Sequence, residues 1–533
     1  MTATGEAPAR QAPAPRLHPA AERGAGTPWR SLARVVAAVL AAAVVAAAAG
    51  ASALLTPAGP FAVVVAVLLA VVTWWRPVVG AVVVAAVAPA VAGVSAGGVA
   101  GLKAPQLLIL VCAAALVLRR PSRWRAVSGV DVAVTAFAAA GVLLAGYHVA
   151  RHDVVVLEGL RTGLQPLFLL LAWWTASRGV EGPADVRVVL RWVLASSVVP
   201  AGAAVLQYFD IPGVRATLIT LVGGGLMARP GGGTPRVTGP FPIWHSLGGY
   251  LVIPTALALL LLLRGDWSLL RRRTLLVVLA VDATALIMSV TVTLLIWLPF
   301  AVLVASVLAR RLPRALAVLT ALGVAAVLAF PTVLADRLQA QQTQTAYTAG
   351  GAAPQTLQYR FLIWQRDYLP LMAQAAPLGL GTDTPEGVLF DATENENITW
   401  VLRGGVGLLA LGWTTVVALG VRALRHARGA EGPARSTAMV LTAVIAFLPA
   451  ATMVWPYLTN AGLPLALFGI SGAALGLAAR APAAGPRRIY GRPQTRLTRS
   501  TPVRSAAPRG VLAAVEQGPA GLTQGGAGRH AAR

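Results

Sequence analysis

From residue 34 to residue 480 the chain is largely a succession of apolar runs, most of them close to 20 residues long, broken by short arginine- or proline-bearing stretches. About 20 apolar residues in a helix cross the hydrocarbon of a bilayer, and a helix satisfies its own backbone hydrogen bonds there. The runs fall near residues 34–55, 58–75, 77–97, 104–118, 130–149, 161–177, 188–208, 244–263, 274–290, 293–309, 315–334, 398–421, 436–456 and 462–480, about fourteen in all. The expected fold is all-α, a polytopic membrane helix bundle over residues 33–480. Composition agrees, because 57% hydrophobic and 12% charged residues leave too little polar surface to cover a soluble globule of 533 residues.

The net charge of +25 does not point to nucleic acid. That partner needs a folded basic face with exposed aromatics, whereas these arginines sit in short clusters between apolar runs. Membrane topology accounts for them, because cytoplasmic loops retain Lys and Arg. With the N-terminus inside, the clusters at 119–125, 264–273, 309–314 and 422–428 all fall on the cytoplasmic side. Residues 1–32 and 481–533 are Pro- and Arg-rich without apolar periodicity and read as disordered cytoplasmic tails, the second suited to anionic membrane lipids. A plasma-membrane, multi-pass protein with both termini inside is the expectation. Cys112, the one cysteine, lies in an apolar run and excludes an intrachain disulfide or cysteine-based metal cluster.

The same phase leaves two long extracytoplasmic loops, about 210–243 and 335–397, where the unusual residues gather. Loops of that length are typically functional or disordered. In the first, "TPRVTGPFPIWHSLGGYL", Pro235, Pro240 and Pro242 forbid regular helix until after Trp244, and a helix begins near Ser246. Arg236 would lie at the outer surface beside a helix N-terminus, a pairing suited to phosphate oxygens. The competing reading makes Arg236 an interfacial anchor with Trp244 and Tyr250 as belt aromatics. In the second loop, "LQYRFLIWQRDYLPLMAQAAPLGLGTDT" places Trp364, Tyr368 and Leu371 on one helical face, which predicts a segment lying along the interface. Glu394, Asn395, Glu396 and Asn397 then stand at the mouth of the next span, with Arg403, Gly405 and Gly407 in its first turns.

The series Arg236, Gly239, Phe241, Leu247, Gly248, Tyr250 and Leu251 resembles the signature of the O-antigen ligase and polysaccharide polymerase family. In that family an Arg, a Gly and an aromatic precede an Asn-containing turn; here His245 stands in the Asn's place. Arg360, Trp364, Pro377, Gly379 and Gly381 resemble its second motif. Family ligases usually carry His-Asn where this chain has the acidic Glu394–Asn397 stretch, which is more like polymerase members. A Ser-Arg pair frequent at the outer end of the span near 274–290 is here Ser289 and Val290. The resemblance covers roughly residues 200–410.

It implies a metal-independent, inverting glycosyltransferase of the membrane GT-C type, without cofactor. The donor would be a polyprenyl-diphosphate-linked glycan and the acceptor a glycan, lipid or wall polymer. Such a transfer needs a proton acceptor at the attacking oxygen and neutralisation of the departing diphosphate. Glu394 or Glu396 would serve as base, with His245 a further catalytic candidate; Arg236, Arg360, Arg403 and Arg161 would hold the diphosphate. Either Glu could instead simply cap its helix. Arg403 lies within an apolar run and calls for a partner, for which Glu396 is near enough in sequence.

Asp282, mid-span, is expected to make a structural hydrogen bond inside the bundle. The polar loop "RHDVVVLEGLR", residues 151–161, lacks metal-ligand spacing and reads as a solvated connection. The run 339–351 reads as a fraying helix extension. Three rivals stand beside the glycosyltransferase. A flippase-type transporter would gather polar groups at the midplane in repeated halves. A monophosphate-dependent mannosyltransferase would carry acidic residues in the first outer loop, and "SAGGVAGLK" has none. The third is a non-catalytic scaffold.

Overall fold

A computed structural model describes residues 59–95, 102–119, 127–223, 236–342, 354–390 and 392–476. The expected span at 34–55 and both tails lie outside the described residues, as do Gly231–Gly233 and residues 343–351 of the glutamine-rich run. In chain order the helices are α1 (Gly59–Trp75), α2 (Pro77–Ala90, with a π-helical stretch Val83–Val87), α3 (Ala104–Leu118), α4 (Gly129–Ala150), α5 (Val156–Gly179), α6 (Pro183–Tyr208) and α7 (Val214–Val222). They continue with α8 (Trp244–Arg264), α9 (Arg272–Met288), α10 (Val292–Leu308), α11 (Leu312–Ala329), α12 (Pro331–Gln342) and α13 (355–375, π-helical over Trp364–Tyr368). The last are α14 (Glu396–Gly429), α15 (Gly432–Thr452) and α16 (Leu463–Gly476).

The protein is an all-helical, multi-spanning membrane protein. Among the described residues six helices, α4, α6, α8, α11, α14 and α15, are long and apolar enough to cross a membrane. Five further apolar helices are shorter, among them Val292–Leu308 and Leu463–Gly476. The fourteen-span expectation is thus met only in part: runs read as uniform spans include helices of 14 to 17 residues. The run at 77–97 leaves helix after Ala90, and that at 315–334 breaks at Phe330.

Local chemistry sets many of the boundaries. At α4, Ser128 Oγ accepts from the Asp131 N–H while the Asp131 carboxylate accepts the Ser128 N–H at 2.7 Å, a reciprocal cap. Pro105, Pro183, Pro313 and Pro433 occupy first-turn positions that need no donor.

Helix α8 forms the centre, with 94% of its apolar window buried against α6, α9, α10, α15 and α16. Around it α4 packs on α5, α5 on α16, and α14 on both α4 and α15. By contrast only 6% of the α11 window is buried. Asp282 of α9 is buried, and its Oδ2 accepts from Ser197 Oγ of α6 at 2.8 Å, the hydrogen bond expected of it.

The two ends of the bundle differ in chemistry. One end is arginine-rich: Arg264 donates to Ser436 Oγ at 2.7 Å, Arg422 to the Leu475 carbonyl at 3.0 Å, and Arg191 to the Ser268 carbonyl at 3.1 Å. The other end collects the segment before α8, α13 and the loop after it, the start of α14 and the α15–α16 connection. There Gln207 Oε1 accepts from the Thr238 and Gly239 N–H groups at 3.0 and 2.9 Å, and the Val237 N–H reaches the Met288 carbonyl.

Candidate functional site

The approach to α8 is built to hold Arg236 at the rim. Gly239 adopts φ +52°, and a Cβ there would stand 2.8 Å from the Pro200 carbonyl oxygen, so the turn needs glycine. Phe241 and Tyr250 are buried, their ring centroids 5.6 Å apart, and fix the turn to α8; Tyr250 is therefore core and not an interfacial belt residue. Helix α8 begins at Trp244, two residues before the expected Ser246. The Arg236 guanidinium lies over the Trp244 ring at 4.6 Å. His245 stacks on Trp455 with centroids 4.3 Å apart and planes 10° from parallel, and it meets Tyr457 edge-on at 6.4 Å.

Helix α13 supplies the second cation. Arg360 is 9% exposed, and its Nε stands 2.8 Å from Glu394 Oε2. One turn on, Trp364 Nε1 donates to the Thr393 carbonyl at 2.8 Å, so the Arg and the Trp four residues later grip two adjacent residues of one loop. The Tyr368 hydroxyl donates to the Phe390 carbonyl at 2.5 Å, and Asp367 accepts the Leu389 N–H at 3.2 Å. Trp364 and Tyr368 are buried in a small core with Ile363, Ile398, Val401 and Leu402. The face expected along the membrane interface is packed onto the start of α14, because Trp364 and Tyr368 of that face are buried there and hold the Thr393 and Phe390 carbonyls.

Neither glutamate caps α14. Asn395 does, its side chain accepting from the Asn397 and Ile398 N–H groups. Glu394 precedes it with φ +49°, in the left-handed region. Its carboxyl is pushed above the usual range by burial, an effect that Arg360 and then Arg236 only partly offset. Glu396 is fully buried and points elsewhere: its Oε2 accepts the Leu458 N–H at 2.6 Å, tying α14 to the α15–α16 connection.

Arg403 and Arg161 do not join Arg236 and Arg360. Arg403 bonds Asp383 Oδ2 at 2.6 Å and Gln165 Oε1 of α5 at 2.5 Å, so its expected pairing with Glu396 is replaced by these partners. The reason is a break in α14. Gly404 and Gly405 leave helical geometry, and Gly405 sits at φ +72°. The preceding loop fills the break: the Leu380 N–H donates to the Leu402 carbonyl at 2.5 Å, and the Val406 N–H to the Ala376 carbonyl at 2.8 Å. Gly379, at φ +82°, is pressed so close that a Cβ would lie 2.4 Å from the Gly404 nitrogen. Gly381, at φ +78°, would collide with the His148 ring at 2.7 Å. His148 holds the loop from the other side, between Asp153 Oδ2 and the Leu378 carbonyl, each at 3.0 Å.

Burial pushes the Asp383 carboxyl up, but the charge and hydrogen bond of Arg403 outweigh it, with Arg161 a weaker contributor, and hold it below the usual range. Arg161, exposed on α5, acts on Asp383 through its charge alone. The 151–161 stretch is also more than a solvated connection, since Asp153 meets His148 and Glu158 contacts Thr382. A small cavity behind the clasp is lined by Gln165, Pro166, Trp400, Arg403, Leu458 and Thr459 among others. Among the described residues no group of three or more His, Cys, Asp or Glu side chains stands together as a metal ligand set.

Sequence reasoning missed Trp455, Tyr457, Leu458, Asp383 and Gln165. The signal for the first three was "VWPYLTN", an aromatic and proline cluster that ends an apolar run and carries no charge to draw attention. No known family profile matches the chain, and no curated protein matches it.

Proposed function

We propose that the protein is a membrane glycosyltransferase that transfers glycans from polyprenyl diphosphate at the end of the bundle bearing Arg236, Arg360 and Glu394. The observation that carries this reading is an ion pair at an arginine-bearing rim: Arg360 meets the Glu394 carboxylate at 2.8 Å, Arg236 lies over Trp244 and adds its charge to the same carboxylate, and His245 stacks on Trp455 beside Tyr457. Arg236 and Arg360 bind the diphosphate, their planar donor forks matching its oxygens. Glu394 accepts the proton of the acceptor hydroxyl as that oxygen forms its bond to the anomeric carbon. The bond from that carbon to the phosphate oxygen breaks, and polyprenyl diphosphate leaves with its charge held by the arginines. A raised carboxyl at Glu394 suits a base. Glu396 acts as a tie to Leu458, and Arg403 belongs to the structural clasp. No metal or other cofactor is assigned a role.

In this reading the bundle is of the GT-C type, the arginine-rich end faces the cytoplasm with both termini, and the site faces outward. The acceptor is a glycan, lipid or wall polymer, and the acidic Glu394 favours chain polymerisation over ligation, following the resemblance of the two motifs. The experiment is replacement of Arg236, Arg360 and Glu394 one at a time by Ala, followed by surface-glycan chain length and attachment. Normal glycan from all three variants at normal protein level would sink the proposal.

A second reading, a lipid-linked oligosaccharide transporter, draws support from the interrupted helix α14, since discontinuous spans line transport sites. Proteoliposomes loaded on one side with a fluorescent lipid-linked glycan separate the two. Translocation without any new glycosidic bond would favour transport.

A further inference from the structure

Glu394 is held in a costly position. A non-glycine residue at φ +49° is uncommon, and such strain persists only where the surroundings enforce it. Here Trp364 holds the carbonyl just before it and Asn395 caps the helix just after it. The turn they impose swings the carboxylate back onto Arg360 and towards Arg236. The fit on arrival is imperfect. Nε of Arg360 and Oε2 of Glu394 are 2.8 Å apart, yet the buried Nε–H is not aimed at that oxygen and makes no hydrogen bond. The Arg403–Asp383 pair, in contrast, is a directed bond at 2.6 Å.

We infer that Glu394 is the built-in occupant of a phosphate seat: in the empty protein its carboxylate fills the place on Arg360 that a phosphate group takes when it binds. A carboxylate against a guanidinium stands where a phosphate would, with one charge instead of two or more. An arriving diphosphate displaces the weaker anion, and the freed side chain, with the turn at 394 able to relax, becomes available at the acceptor side. The inference rests on the assignment of Arg236 and Arg360 as diphosphate contacts and adds that binding the donor is what releases the base.

An internal competitor lowers the apparent affinity for the external ligand in proportion to its own occupancy of the seat. Removing the charge therefore tightens binding. The test uses the full-length protein in neutral-lipid nanodiscs, titrated separately with inorganic diphosphate and with farnesyl diphosphate. Glu394→Gln is expected to bind both probes on the order of tenfold more tightly than wild type, and Glu394→Gly, which also removes the backbone strain, at least as tightly. Arg360→Ala is expected to lose binding of both. A gain for farnesyl diphosphate alone assigns the seat to a lipid-borne phosphate; a gain for both assigns it to phosphate itself. If wild type and both Glu394 variants bind equally, the occupant idea falls while the diphosphate site stands. If none of the folded proteins binds either probe, the diphosphate site falls with it.

Discussion

Two arginine–carboxylate pairs stand at the same end of the bundle and behave in opposite ways. Arg403 and Asp383 form a directed hydrogen bond, Arg403 also donates to Gln165, and together they seal a break in α14 against a loop threaded with glycines. Arg360 and Glu394 touch without alignment, on a strained turn, beside a second cation. In the first pair the carboxyl is held low, and in the second it is driven up. The same two chemical groups thus make a clasp in one place and the proposed diphosphate site in the other. What separates them is the directed bond from Arg403 Nη2 to Asp383, against a contact at Arg360 in which Nε is close to Glu394 without a hydrogen bond and the Glu394 backbone lies at φ +49°.

The largest way to break the comparison is at Arg360. Arg360→Ala should lower glycan transfer per folded protein about 10²–10³-fold, the usual cost of removing a preorganised donor from a developing anion. Arg403→Ala should leave transfer per folded protein unchanged at first order, since the clasp has no part in phosphate contact. Gly379→Ala attacks the clasp through the backbone: φ +82° and a Cβ contact of 2.4 Å with the Gly404 nitrogen leave no room, so about 2–3 kcal/mol of stability should be lost in denaturation assays. For Arg403→Ala the expected loss is about 1–2 kcal/mol, smaller because Asp383 is partly exposed and can rehydrate.

The smallest and sharpest test is pH. Glu394 lies above its ordinary value of 4.5, so the acidic limb of a rate profile should lie above that value, activity falling as the base is protonated. In stability the two carboxyls have opposite signs. The contribution of Glu394 is fully present below its unfolded value and is lost as pH rises through its raised folded value. Asp383, depressed below 3.8, contributes above that value and loses its contribution as pH falls through its folded value. Hydrogen exchange of residues 376–384 should therefore accelerate only in strong acid, whereas residues 392–395 should be no less protected at pH 4 than at pH 7.

How far the sequence could carry these conclusions differs by scale. Spans near 244–263 and 436–456 were readable because the bilayer demands continuous apolarity, and α8 and α15 lie there within a few residues. Arg360 and Trp364 were readable as a unit because four residues make one helical turn. Partnerships were not. Arg403 looked as though it belonged to Glu396, since a regular helix would stack them two turns apart, and nothing in "RGG" announces that the helix opens there and admits Asp383. Glu394 and Glu396 differ by two residues and are indistinguishable in sequence; Leu458, 62 residues away, decides between them by claiming Glu396.

Helix α11 carries one more lesson. With 6% of its window covered by protein, its burial is supplied by the surrounding acyl chains, so its tilt and depth answer to bilayer thickness. Eighteen residues make a rod of about 27 Å, close to the roughly 30 Å of an average hydrocarbon core. Through α12 this rod leads on towards the helix that bears Arg360. Through the bond from Thr356 to Gln341 that joins α12 to this helix, a change in bilayer thickness is expected to act on the segment bearing Arg360 more than on α8, whose surface is covered by protein. Diphosphate affinity measured across nanodiscs of graded acyl length would register it, and a flat series would show that the lever is slack.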